Sequence, residues 1–233
     1  MNSAEYLSRV AARIIARQGG LHAHSVLRAP QTALVVVDMQ NYFCAPGFPA
    51  ENPNAPAMVP AINTMAAALR TQGGRVVWVR TTARGARERW SRHHRQMLSP
   101  ERAERRLHLL DPAHPGYQLF EGLDLHPDDP IVDKIMYSAL IPGSSDLDAV
   151  LRAHAIDTLL IAGTATNVCC ESTARDAMMM DYGVVMLADA TSAADEAAHR
   201  ATLEHFALYF GDVMTVDEAS SRLSQGATRK ADD

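Results

Sequence analysis

Six short runs of consecutive apolar residues punctuate the chain, at 33–37 (ALVVV), 75–79 (RVVWV), 130–132 (PIV), 157–161 (DTLLI), 184–187 (VVML) and 213–216 (VMTV). They are rich in β-branched residues and continuous rather than alternating, the pattern of strands buried on both faces. Between them lie stretches of helical period at 57–72, 144–154, 167–181 and 194–208, with stop signals at Gly73-Gly74 and Gly183. Strands alternating with helices predict βαβ units, right-handed crossovers and a parallel sheet with helices on both faces. In such a sheet the ligand site forms at the carboxyl ends of the strands. Ahead of the first strand, Tyr6, Leu7, Val10, Ile14 and Ile15 fall at helical spacing with arginines mostly opposite. This predicts an amphipathic helix over 3–18, ended by Gly19-Gly20 and packed over the core or onto another subunit. The expected division is a lead-in at 1–30, one domain at 31–223 and a small, polar, disordered tail at 224–233.

Composition narrows the function without naming it. The 233 residues suffice for one α/β domain, and 47% apolar with 21% charged residues is ordinary for a globular protein. A net charge of −5 argues against a nucleic-acid partner, which calls for a basic surface. No run approaches the ~20 apolar residues of a membrane span. Glu5, Arg9, Arg13 and Arg17 interrupt any export signal core, so a cytoplasmic location is expected. Three cysteines, two of them adjacent (Cys169, Cys170), make neither a disulfide framework nor a zinc site.

Three strand ends each deliver a reactive group. Asp38 directly follows the first strand, Lys134 follows the third, and Cys169 lies just beyond the fourth, in the first turn of a helix that Thr166 or Asn167 can cap. There a thiol feels the positive end of the helix dipole, which favours thiolate. A thiol, a carboxylate and an ammonium at one sheet edge supply a nucleophile, a base and a stabilising charge. One stretch breaks the rhythm: residues 84–106 hold eight arginines, Trp90 and the pair His93-His94. It reads as a solvated helix or as a lid whose arginines grip a substrate carboxylate. No third ligand accompanies the two histidines at metal-binding spacing.

These segments resemble the isochorismatase-like cysteine hydrolases. VVVDMQNYF (35–43) is similar to that family's D-x-Q-x-x-F motif, DKIMYSAL (133–140) to its lysine segment, and GTATNVCCESTARDA (163–177) to its cysteine block. The resemblance implies a three-layer α/β/α sandwich, Rossmann-like, with six parallel strands in the order 3-2-1-4-5-6. It implies Cys169 as nucleophile, Asp38 as general base and Lys134 as their support. It also implies a cis Thr164-Ala165 peptide, an oxyanion hole of the Ala165 and Cys169 amides, and a homodimer or homotetramer. Gln40, Phe43 and Tyr137 are expected at the substrate, with Arg84 or Arg87 binding its carboxylate.

Within the family, isochorismate-type vinyl-ether hydrolases lack the cysteine. Nicotinamidases carry a metal-binding Asp and His set between the first two strands, whereas residues 44–62 here hold no histidine. No metal or cofactor is therefore expected. The nearest look is to ureidoacrylate and N-carbamoylsarcosine amidohydrolases, although Arg80-Thr81 replaces the Gln-Asn of a ureidoacrylate hydrolase. The reading is hydrolysis of a small amide, ureido or carbamoyl compound. A pocket-binding pseudoenzyme, a vinyl-ether hydrolase and a vicinal-thiol redox sensor are the alternatives.

Overall fold

The computed structural model describes residues 2–229, with side chains through residue 223. All six expected strands form: β1 (Thr32–Val37), β2 (Arg75–Thr81), β3 (Ile131–Lys134), β4 (Thr158–Thr164), β5 (Gly183–Ser192) and β6 (Asp212–Met214). Every pairing is parallel, in the order β3-β2-β1-β4-β5-β6. This is the six-stranded α/β sheet that the resemblance implied.

Alternation along the strands sorts the core into two layers. Ala33, Val35 and Val37 of β1 face one side of the sheet, with Val77, Val79, Leu159 and Ile161. Leu34 and Val36 face the other, with Val76, Trp78, Leu160 and Ala162. Ten α-helices are described, in chain order: α1 (Ser3–Tyr6), α2 (Ala11–Gln18), α3 (Asn41–Cys44), α4 (Val59–Thr71), α5 (Ala86–Arg89), α6 (Pro100–Leu109), α7 (Leu147–Ala153), α8 (Glu171–Met179), α9 (Glu196–Tyr209) and α10 (Val216–Arg229). The first layer is closed by α7, α8 and α9 through Leu147, Leu151, Ala174, Leu203 and Phe206. The second is closed by α4 and α10 through Ile62, Met65, Leu69, Ala219 and Leu223. Large apolar side chains buried in this way each contribute about 1.5–3 kcal/mol. Among the described residues no helix is long and apolar enough to cross a membrane.

The N-terminal stretch is two helices rather than one, because its halves are tied to different partners. Ser3 Oγ donates to Glu218 on α10, while Arg17 donates to the Leu208 carbonyl on α9. Leu7, Val10 and Ile14 join the core, so this segment covers the domain. It ends as expected, at Gly19 in the left-handed conformation. The tail expected from residue 224 begins as part of α10, and residues 230–233 lie outside the described ones.

Gly163, one residue before the end of β4, has φ +109, and a Cβ there would stand 2.0 Å from the Val37 carbonyl oxygen. Gly143 also has positive φ but open space around it. Gly163→Ala should therefore cost ~3 kcal/mol or more, or prevent folding, whereas Gly143→Ala should cost only about 1–2 kcal/mol of backbone strain. Equal shifts of the two in urea denaturation would contradict the close approach of β1 and β4.

Candidate active site

Strands β3, β2, β1 and β4 are consecutive neighbours in the sheet, so their carboxyl ends deliver four side chains to one place. Asp38 follows β1 with φ 56, a left-handed conformation that Asp tolerates better than most residues. Its amide still donates to the Val79 carbonyl at 2.9 Å, and the Gln40 amide returns to its carbonyl at 2.8 Å. The backbone thus turns sharply while the carboxylate stays fully buried.

Lys134 is the last residue of β3, not the first of a loop, and it too is fully buried. Its Nζ lies 2.9 Å from Asp38 Oδ2 and donates to Thr81 Oγ1 at 2.8 Å and to the Met136 carbonyl at 3.0 Å. Thr81 Oγ1 in turn donates to Asp38 Oδ1 at 2.8 Å. Burial, the largest single influence, works to discharge the ammonium, but Asp38 and Cys169 together outweigh it and hold the Lys134 pKa above its ordinary value.

Cys169 completes the group. It lies in a π-helical turn, Thr166–Cys170, that leads into α8. Neither Thr166 nor Asn167 caps that turn; the Thr166 hydroxyl is instead paired with His199 Nδ1 at 2.8 Å. Cys169 is 6% exposed, and its thiol lies within the influence of the Asp38 carboxylate. Asp38 Oδ2 has no aligned hydrogen-bond donor, since the Lys134 contact falls outside hydrogen-bond geometry. Burial first, and the Asp38 charge second, push the thiol up to about 12, with Lys134 pulling the other way. The expected dipole-favoured thiolate is overturned on magnitude. A helix end is worth 0.3–1 kcal/mol when exposed, and burial beside a carboxylate exceeds that. Cys170 points into the core, its Sγ 3.8 Å from the Ala162 carbonyl.

The peptide Thr164-Ala165 is cis. It brings β4 into the Thr166–Cys170 turn, with the Val168 and Cys170 amides both donating to the Ala165 carbonyl. Thr164 Oγ1 is held by Asn52, whose Nδ2 also reaches Ser192.

The residues expected at the substrate divide. Gln40 is committed to the backbone: Nε2 donates to the Thr81 and Tyr117 carbonyls, and Oε1 accepts from the Thr81 amide at 2.7 Å. It braces the ends of β1 and β2 and has no amide hydrogen left to offer a ligand. Phe43 is half-buried, edge-on to Tyr42 and against the second core layer. Tyr137 is 38% exposed and meets the rings of Trp90 and His93 edge-on. Arg84 and Arg87 are both solvent-exposed, and Arg87 is spent on Glu104 at 2.8 Å. Gly85, left-handed at the start of α5, turns Ala86 inward and leaves the flanking arginines outside.

Two residues escaped the sequence reading. Thr81 is the hydroxyl shared by Asp38 and Lys134, noted beforehand only as part of the Arg80-Thr81 pair that replaces Gln-Asn. Arg106 is the arginine of the 84–106 stretch whose charge reaches both Lys134 and Cys169. It sits within the inward stripe Ala103, Leu107, Leu110, and that periodicity could have singled it out. The stretch itself is no single helix: α5 is one turn, His93–Met97 is a π-helical turn, and α6 follows a Ser99 cap. Among the described residues no three His, Cys, Asp or Glu side chains gather as a metal site.

Two outcomes are expected of this geometry. Lys134→Met leaves a buried carboxylate without its counter-charge and should cost about 3–5 kcal/mol in urea denaturation. Adding Asp38→Asn should recover part of that loss; a strictly additive double variant would contradict the pairing. Alkylation of Cys169 by iodoacetamide requires thiolate, so its rate should still climb with pH through pH 9. A plateau near pH 7 would show a preformed thiolate.

Comparison with known proteins agrees with this geometry. The isochorismatase domain model matches residues 32–218. The ureidoacrylate amidohydrolase RutB of Pseudomonas syringae pv. syringae is 34% identical over 85% of this chain and 86% of its own length. The RutB of Methylorubrum extorquens is 33% identical over 87% and 86%. The crystal structure of a cysteine hydrolase from Pseudomonas syringae pv. phaseolicola superposes with a TM-score of 0.76 at 32% identity, covering 86% of this chain and 95% of that one. The chain belongs to the isochorismatase domain family.

Proposed function

We propose that this protein is a cysteine-dependent amidohydrolase that cleaves a small carbon–nitrogen bond of the ureido, carbamoyl or carboxamide type, in a substrate that also bears a carboxylate. The observation that carries the reading is one fully buried carboxylate, Asp38, paired with the Lys134 ammonium at 2.9 Å and acting with it on the buried Cys169 thiol. The names of the amidohydrolase relatives support the bond type. Three free, buried cysteines suit a reducing cytoplasm.

The reaction starts from a neutral thiol. As Sγ attacks the carbonyl carbon, its proton passes to Asp38, and Lys134 keeps a positive charge beside the group throughout. The new C–S bond leaves an oxyanion facing the Ala165 and Cys169 amides at the start of the turn. Asp38 returns the proton to the nitrogen, the C–N bond breaks, and ammonia or an amine leaves. Water then attacks the thioester or thiocarbamate, giving its proton to Asp38. The C–S bond breaks and the thiol takes the proton back. Nothing in this cycle is consumed but substrate and water.

Ammonia release from a panel of ureido acids, carbamoyl amino acids and carboxamides tests the reading. Cys169→Ala should abolish turnover, and Asp38→Asn should lower kcat at least about a hundredfold, within the usual range for a general base. Full activity in Cys169→Ala would end the covalent mechanism.

A further inference from the structure

One buried histidine that the proposed reaction does not use is bonded to the turn that carries the nucleophile. His199, on α9, is 4% exposed, and its Nδ1 lies 2.8 Å from Oγ1 of the fully buried Thr166. Burial lowers its pKa below the ordinary histidine value, so the ring is mainly neutral at pH 7. A polar ring in a core is costly unless it is bonded, and here the bond goes to the catalytic turn. Tyr6 of α1 meets the same ring edge-on, 6.0 Å between ring centres. The imidazole therefore links that turn to a lead-in that precedes the residues matching the family model.

Thr166 is placed to transmit the hold. It opens the Thr166–Cys170 turn, directly after Ala165 and three residues before Cys169, whose amides are the ones proposed to bind the oxyanion. The turn is one unit, because the Ala165 carbonyl accepts from the Val168 amide at 3.1 Å and the Cys170 amide at 3.2 Å. On the strand side, Asn52 Nδ2 donates to Thr164 Oγ1 at 2.8 Å. Two side-chain bonds, Asn52 to Thr164 and His199 to Thr166, thus bracket Ala165.

We infer that His199 is a positioning residue: through the Thr166 hydroxyl it fixes the turn so that the Cys169 thiol and the Ala165 and Cys169 amides meet one carbonyl group. This deepens the amidohydrolase reading and rests on it. His199 acts only through Thr166.

The test compares His199→Phe, which keeps a ring without its polar atoms, with His199→Asn, whose amide can occupy the Nδ1 position. On the panel compound that wild type hydrolyses fastest, His199→Phe should lower kcat about ten- to a hundredfold with KM little changed, since small misplacements act on the chemical step. His199→Asn should recover part of that rate. Thr166→Val breaks the same bond from the other side and should give a matching loss. The double variant, His199→Phe with Thr166→Val, should be no worse than either alone. A second readout needs no substrate. Iodoacetamide labelling at pH 7, read on the Cys169 peptide by mass spectrometry, should run severalfold faster in both single variants, because a loosened turn exposes the thiol. Unchanged kcat or unchanged labelling in folded Thr166→Val overturns the inference, as do losses that add in the double variant. Wild type that releases no ammonia from any panel compound brings down the amidohydrolase reading alone, and the labelling comparison still decides the role of His199.

Discussion

The structure turns on one buried ion pair, Asp38 with Lys134, bridged by the Thr81 hydroxyl. Both side chains are fully buried, so each has given up hydration worth several kcal/mol. Attraction across 2.9 Å offsets part of that cost, and hydrogen bonds from Lys134 to Thr81 Oγ1 and the Met136 carbonyl and from Thr81 Oγ1 to Asp38 Oδ1 offset more. A pair of this kind adds little net stability over well-packed apolar residues. What it provides is a charge held at a fixed place. That demand explains the sheet around it: β1, β2 and β3 must end in register, and Gln40 ties the first two ends to the Tyr117 loop.

The thiol is governed by the same pair. A cysteine at an exposed helix start would be expected to ionise readily, but Cys169 is enclosed and faces a carboxylate. Burial and the neighbouring carboxylate both favour the neutral thiol over the thiolate. This arrangement limits adventitious oxidation and alkylation, both of which follow thiolate character and exposure.

Much of this was legible in the chain. Continuous apolar runs gave strands buried on both faces, and a residue directly after one had to lie at the sheet edge; Asp38 follows from that alone, whereas Cys169, five residues beyond β4, was placed by the helix start expected there and by the resemblance. Lys134 was placed one step too far out, because a lysine at the end of a short PIV run looks solvated unless its partner is known. Gln40 matched a motif, but a motif carries no information on which atoms its amide satisfies. Thr81 was hidden because a threonine at a strand end is ordinary. The broken 84–106 stretch was hidden because charge density masks the period of the few apolar residues beneath it.

That stretch also shows why counting charges misleads. Eight arginines suggested an electropositive rim, and sequence proximity to β2 favoured Arg84 and Arg87. Geometry reverses the ranking. An exposed guanidinium such as Arg87, paired with Glu104 in water, contributes little field and has a competing partner. A half-buried one without a partner, among apolar walls, acts through a lower dielectric and has spent none of its hydrogen bonds. Twenty-five residues along the chain from the end of β2, Arg106 comes back towards Lys134 and Cys169 on α6, and the Ala103, Leu107, Leu110 face decides which of the α6 arginines turns inward. Position on a helix face, more than distance in sequence, decides which cation lies near the buried pair.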